Sequence, residues 1–233
     1  MRKVVVYAGT RNVYHNMAVA AKSLLNHTQM DRVWFLIEDD EFQEELPDVI
    51  RCKNMSGQPW FPDGPNTRKR WSYMSLLRLA LHEILPEEDR VLWLDIDTIV
   101  NEDITELFGT DLEGCYVAAA EEPIRSKRPF KYYNAGVMIM DLRKLRDGMA
   151  DLLIRYVNRV EMDFPDQDVI NLLCQGRIKA ISPYWNSNKW IVEVSDPGIT
   201  HFAADRNYER QALWQEYDRM EWRVKDAGKD RQP

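Results

Sequence analysis

Arg90-Val91-Leu92-Trp93-Leu94-Asp95-Ile96-Asp97-Thr98-Ile99-Val100 is the stretch on which the reading of this chain turns. Its run of apolar residues, Val91 to Leu94, with a β-branched residue and an indole among them, predicts a buried strand. Such a strand does not end in two carboxylates without cause, because an unpaired buried charge is costly or shifts its pKa. Side chains alternate along a strand, so Asp95 and Asp97 are expected on one face, about 7 Å apart, with Ile96 turned away. Two carboxylates so placed can lean on one hard cation, and Mg²⁺ or Mn²⁺ suits them, with water and phosphate oxygens completing the shell. The open end of a strand in an α/β sheet is also where ligands bind. The plain alternative is a pair of solvated turn residues that stop the strand.

Around this stretch, strand and helix patterns alternate. Strands are expected over Lys3–Ala8, Val33–Ile37, Val49–Lys53, Tyr116–Glu121, Ala135–Met140, Ile178–Ile181, Ile191–Val194 and Ile199–Phe202. Helices are expected over Tyr14–Asn26, Trp71–Ile84, Leu142–Val160, Gln167–Gln175 and Tyr208–Trp222. Alternation of this kind implies an α/β protein, a mainly parallel sheet with helices on both faces. Prolines and glycines between Gly57 and Pro65 mark a loop rather than a domain boundary. One domain over residues 1–225 is expected, followed by a polar tail, 226–233, expected to be disordered.

The 233 residues are 45% hydrophobic and 30% charged, as in an ordinary globular protein, and carry a net charge of −7. That balance argues against general affinity for nucleic acid or an anionic membrane. No apolar run reaches membrane-spanning length, and Met1-Arg2-Lys3-Val4 enters a strand without a hydrophobic leader. Cys52, Cys115 and Cys174 are scattered without metal-ligand spacing, which suggests a reducing compartment; the cytoplasm is the expected location. Cys174, within an apolar run, is expected in the core.

Three further clusters carry chemistry. Tyr132-Tyr133-Asn134-Ala135-Gly136-Val137 enters an apolar strand through small residues that allow close approach to the backbone, with an amide at Asn134. Pro165-Asp166-Gln167-Asp168 sets acid, amide, acid before a helix, and His201 sits in the strand-like Ile199-Thr200-His201-Phe202. Singly, each has a simpler reading: Asp166 as a helix N-cap, His201 as a satisfied core histidine, Arg78 as a helix-surface arginine.

In this order, together with Arg78 one helix before the aspartates, these motifs resemble glycosyltransferase family 8 over nearly the whole chain. The resemblance implies a GT-A fold, a single Rossmann-like mixed sheet flanked by helices. It also implies transfer of a hexose, glucose or galactose, with retention, from a nucleotide diphosphate sugar such as UDP-glucose or UDP-galactose. Asp95, Asp97 and His201 would hold Mn²⁺ or Mg²⁺. Ala8, Thr10 and Asn12 match nucleoside-binding positions, and Asp95 would lie near the ribose. Arg78, Asn134, Ala135, Asp166 and Gln167 match residues at the donor sugar, Asp168 matches a nearby carboxylate, and Trp185-Asn186 matches an aromatic–Asn step. The Gln167 amide oxygen is expected to face a cationic sugar.

The chain departs from the family pattern after His201. Ala204 replaces a glycine, and a lysine–proline step that grips the diphosphate is absent, leaving Arg206 as a substitute cation. Val13 and Thr10 replace an aromatic and an acidic residue expected near the base. A non-catalytic nucleotide-sugar-binding module is therefore an alternative. Asp95-Ile96-Asp97-Thr98 also resembles the first motif of haloacid-dehalogenase-type phosphatases, although no Gly-Asp-x-x-x-Asp motif follows. The acceptor is left open between glycan, lipid-linked saccharide and protein. The basic loop Arg125–Lys131 is a candidate for recruiting an anionic acceptor, and the last helix could serve an oligomer contact.

Overall fold

The computed structural model describes residues 2–67, 72–123 and 130–222. Apolar residues that alternate between faces build a central sheet with the order β3-β2-β1-β4-β7-β6-β8. Its strands are β1 (Val4–Gly9), β2 (Arg32–Ile37), β3 (Ile50–Asn54), β4 (Arg90–Leu94), β6 (Val117–Glu121), β7 (Tyr133–Asp141) and β8 (Ile178–Ile181). All neighbours pair in parallel except β7, which runs antiparallel to both β4 and β6. The sheet is therefore mixed. β7 is buried at every position, as a central strand covered on both faces must be.

Strand alternation splits the core in two. Val4, Val6, Val91, Trp93, Met138 and Met140 face one layer, packed against α2 (Tyr73–Leu76), α3 (Leu81–Ile84), α6 (Met149–Val157) and α7 (Pro165–Leu173). Val5, Tyr7, Leu92, Leu94, Val137 and Ile139 face the other, against α1 (Tyr14–His27) and α8 (Ala212–Asp218). A second, two-stranded antiparallel sheet joins β5 (Thr98–Val100) to β9 (Ile199–His201), opposing Thr98 to His201. Short helices α4 (Thr105–Phe108) and α5 (Leu142–Leu145) complete the elements.

Several expected elements are interrupted, each for a local reason. The aspartate strand does not run on to Val100: β4 ends at Leu94, and Asp95–Asp97 turn before β5 begins. The Thr98 hydroxyl donates to the Asp95 carbonyl at 2.7 Å and closes that turn. Leu142–Val160 is two helices, because Gly148 adopts φ +94°, a left-handed conformation that glycine tolerates, at the N-cap of α6. The helix before the aspartates passes through a 3₁₀ stretch, Leu77–Ala80, between α2 and α3. Ile191–Val194 is not a strand: the Ile191 N–H goes to Asn188 O, and that of Val194 to the Ser187 hydroxyl. The last helix is shorter than expected, a 3₁₀ turn at Tyr208–Arg210 and then α8. Cys174 is buried in the first core layer, as expected. The tail 226–233 and basic-loop residues 125–129 lie outside the described residues. Among the described residues, no helix is long and apolar enough to cross a membrane.

Candidate active site

The turn after β4 and the small second sheet bring three side chains together. Cross-strand pairing of Thr98 with His201, and a bond from Phe202 N–H to Asp97 O at 2.9 Å, set the imidazole beside the turn. His201 Nε2 lies 3.3 Å from Asp97 Oδ1 and 4.0 Å from Asp95 Oδ2. Ligand atoms of Asp95, Asp97 and His201 all lie within 4.8 Å of one another. Two carboxylate oxygens and one imidazole nitrogen make a donor set suited to Mn²⁺ or Mg²⁺. Gly136 makes room for the imidazole, since a Cβ there would sit 2.1 Å from His201 Cε1.

Arg78 braces the carboxylates from the first layer of helices. It is only 3% exposed, placed by the 3₁₀ stretch, and is not a surface arginine. Its Nη2 donates to Asp95 Oδ1 at 2.8 Å, its Nε pairs with Asp166 Oδ2 at 3.0 Å, and its Nη1 donates to the Ala135 carbonyl. The guanidinium lies over the Trp93 ring, 4.4 Å from the centroid, and the Trp93 N–H also donates to Asp95 Oδ1. Burial works against charge on Asp95, but Arg78 and then His201 outweigh it and hold the carboxyl below its ordinary range. Burial pushes the Asp166 carboxyl up, with Arg78 opposing and Asp95 adding to the rise. At His201 burial opposes protonation, yet Asp97 and Asp95 prevail and raise the imidazole.

A chain of amides orients the imidazole. The fully buried Glu122 can only accept when ionised, and its Oε2 takes the Asn134 Nδ2–H at 2.8 Å and the Gln167 Nε2–H at 3.3 Å. Asn134 Oδ1 then accepts from Gly136 N–H at 2.9 Å and Asn186 Nδ2–H at 3.0 Å. Asn186 Oδ1 is left to face His201 Nδ1 at 2.8 Å. This polarity puts the proton on Nδ1 and directs Nε2 at the carboxylates, the arrangement a metal-ligating histidine needs. Glu122 escaped the sequence reading; an acid immediately after the apolar strand Val117–Glu121 was the signal that could have found it.

These groups line a cavity of about 420 Å³. Of the residues singled out from sequence, Ala8, Thr10, Arg78, Asp95, Asp97, Asn134, Ala135, Asp166, Gln167, His201 and Ala204 border it. Asn12, Asp168 and Arg206 do not. Asn12 accepts the Thr10 hydroxyl, and Arg206 is exposed. Asp168 borders a different cavity, and it accepts from the Tyr132 hydroxyl and Phe164 N–H. Asp166 is not an N-cap: Phe164 holds that position and Asp166 lies in the first turn of α7. The Gln167 amide oxygen accepts Ala135 N–H at 2.8 Å, so one lone pair remains for a ligand. Ala204 has φ +59°, the left-handed region that favours the glycine it replaces. Phe164, Trp190 and Tyr208 border the cavity without having been assigned a role from sequence.

The sequence profile of glycosyl transferase family 8 matches residues 4–191. Glycosyltransferase GlyE of Streptococcus pneumoniae is 26% identical over 96% of this chain and 62% of its own length. The chain thus spans about three-fifths of that relative. Among solved structures, the galactosyltransferase LgtC bound to donor and acceptor sugar analogues superposes with a TM-score of 0.67 at 21% identity, covering 92% of this chain and 95% of LgtC. Apo GlyE superposes at 0.69 with 24% identity, covering 95% of this chain and 61% of GlyE. These likenesses give the mixed sheet its name, the GT-A fold. The family match also removes the phosphatase reading of the aspartates. Spanning the aspartate turn, the Asn-Ala-Gly strand and the acid–amide helix, it makes this chain a member of glycosyltransferase family 8.

Proposed function

We propose that this chain is a metal-dependent, retaining glycosyltransferase that moves glucose or galactose from a UDP-sugar to a glycan, lipid-linked saccharide or protein. The observation that carries the reading is the meeting of Asp95, Asp97 and His201 within 4.8 Å at a cavity also bordered by Arg78, Asn134 and Gln167. Mn²⁺ or Mg²⁺ held by the three ligands would neutralise the charge that builds on the diphosphate as the anomeric bond breaks. Because β4 lies between β1 and β7 in the sheet, the carboxylates stand between two ends of the cavity. The nucleoside lies at the β1 end, by Ala8 and Thr10, and the hexose at the β7 end, by Asn134, Ala135, Asp166 and Gln167. Arg78 holds Asp95 and Asp166 in a fixed geometry that needs no rearrangement during reaction. Asp168 supports α7 and the Phe164 turn from behind. The enzyme works in the cytoplasm in this reading.

Incubating the protein with a panel of nucleotide sugars, with Mn²⁺ or with chelator, tests the proposal. Release of nucleoside diphosphate that needs Mn²⁺, favours UDP-glucose or UDP-galactose, and disappears in Asp97→Asn is expected. One observation favours the alternative, a non-catalytic nucleotide-sugar-binding module: the exposed Arg206 is outside the cavity and contributes no cation to it. Metal-dependent donor binding with no turnover in the presence of any acceptor class would select that module instead.

A further inference from the structure

We propose that Tyr208 is the platform on which the donor's nucleobase stacks, and that this ring governs how strongly the site prefers a nucleotide to a bare diphosphate. The inference rests on the donor-binding reading above and adds a residue that none of the sequence motifs contains. Of the residues that line the cavity, those in and after β1 (Ala8, Gly9, Thr10 and Val13) and those after β9 (Ala203, Ala204 and Tyr208) include one aromatic ring, that of Tyr208. A base buried against small aliphatic groups gains only area, whereas stacking on an aromatic ring is worth about 1–3 kcal/mol per base.

The ring is built to stay in place. Its hydroxyl accepts from the buried Asn16 side chain in the first turn of α1 at 2.5 Å, and the same Asn16 nitrogen donates to Glu209 at 2.7 Å. Trp214 meets Tyr208 in an edge-on contact, centroids 4.7 Å apart at 83°, and Phe202 lies nearly parallel to it at 6.3 Å. These contacts tie the cavity wall to α1 and α8, so the ring is held before any ligand arrives. A platform ordered in advance loses little conformational entropy on binding. Burial pushes the phenol pKa far above its ordinary value, so the ring carries no negative charge toward a phosphate.

The test is calorimetric titration of UDP, and of ribose 5-diphosphate as its base-free counterpart, each with Mn²⁺. In the wild-type protein UDP should bind more tightly than the base-free ligand. In Tyr208→Ala, UDP should weaken about 5- to 150-fold, the span of that stacking energy, while ribose 5-diphosphate changes less than about twofold. Tyr208→Phe, which keeps the ring and loses the Asn16 bond, should bind UDP like the wild type. Equal losses for both ligands in Tyr208→Ala would mean general damage to the wall and would overturn the proposal. So would an unchanged UDP affinity, or a Tyr208→Phe variant as weak as Tyr208→Ala. A wild-type protein that binds neither ligand would overturn the donor reading itself, a result distinct from failure of the Tyr208 assignment.

Discussion

Gly136, Arg78 and Ala204 show how single residues set the site. Any side chain at Gly136 collides with the His201 imidazole. Gly136→Ala should therefore cost about 10- to 100-fold in Mn²⁺ affinity, as lost support of a metal ligand does, with a folded circular dichroism spectrum retained. Arg78 pairs the buried Asp166 and the part-buried Asp95, and removing it leaves both carboxylates without their cation. Arg78→Met should lower unfolding free energy by about 3–5 kcal/mol in urea titrations. Lysine cannot replace it, having no planar fork to serve Asp95, Asp166 and the Ala135 carbonyl together. Ala204 strains a left-handed backbone, so Ala204→Gly should stabilise the protein by about 1 kcal/mol, readable as a raised midpoint in the same titration.

At the scale of elements, much was legible because motif order is a property of sequence. The strands with strong apolar runs, and the Asp95, Asp97 and His201 set, could be named without coordinates. How the aspartates meet could not. Strand alternation was expected to align them, whereas a turn does so, and that depends on a Thr98 hydroxyl and on β9 arriving from a distant part of the chain. Asp166 and Asp168 flank a single residue in sequence, yet residues two apart on a helix point to different sides. One reaches Arg78 and the other faces Tyr132. Glu122 and Tyr208 were hidden for a related reason: an acid after a strand and a tyrosine after a loop gain meaning only from their tertiary neighbours. Another inter-element tie is the exposed His15, on α1, whose two ring nitrogens face Glu44 at 3.0 Å and Asp218 at 2.6 Å. Burial lowers its pKa, but hydrogen bonds to the two carboxylates prevail and raise it above the usual 6.5. A raised folded-state pKa stabilises fully below the unfolded value and is lost as pH climbs through the folded one. The stability gap between wild type and His15→Gln, measured by urea unfolding, should therefore be largest in acid and close above neutrality.

For the molecule as a whole, the sheet order explains why one site gathers residues from four distant segments. β4 ends between β1 and β7, the second sheet delivers His201 over that end, and α7 packs on the neighbouring β7. Ligands that bind only this assembled state should stabilise it by mass action. Mn²⁺ and UDP together should raise the melting temperature more than either alone, with about 2.7 kcal/mol gained at a hundredfold excess over the dissociation constant. Counting bound Mn²⁺ by electron paramagnetic resonance in the presence of UDP tests whether one divalent ion is gripped jointly by the aspartate turn and the distant imidazole. One tightly bound ion per wild-type chain is predicted, with binding lost in both Asp97→Asn and His201→Ala. A folded Asp97→Asn protein that binds Mn²⁺ as tightly as the wild type would contradict it.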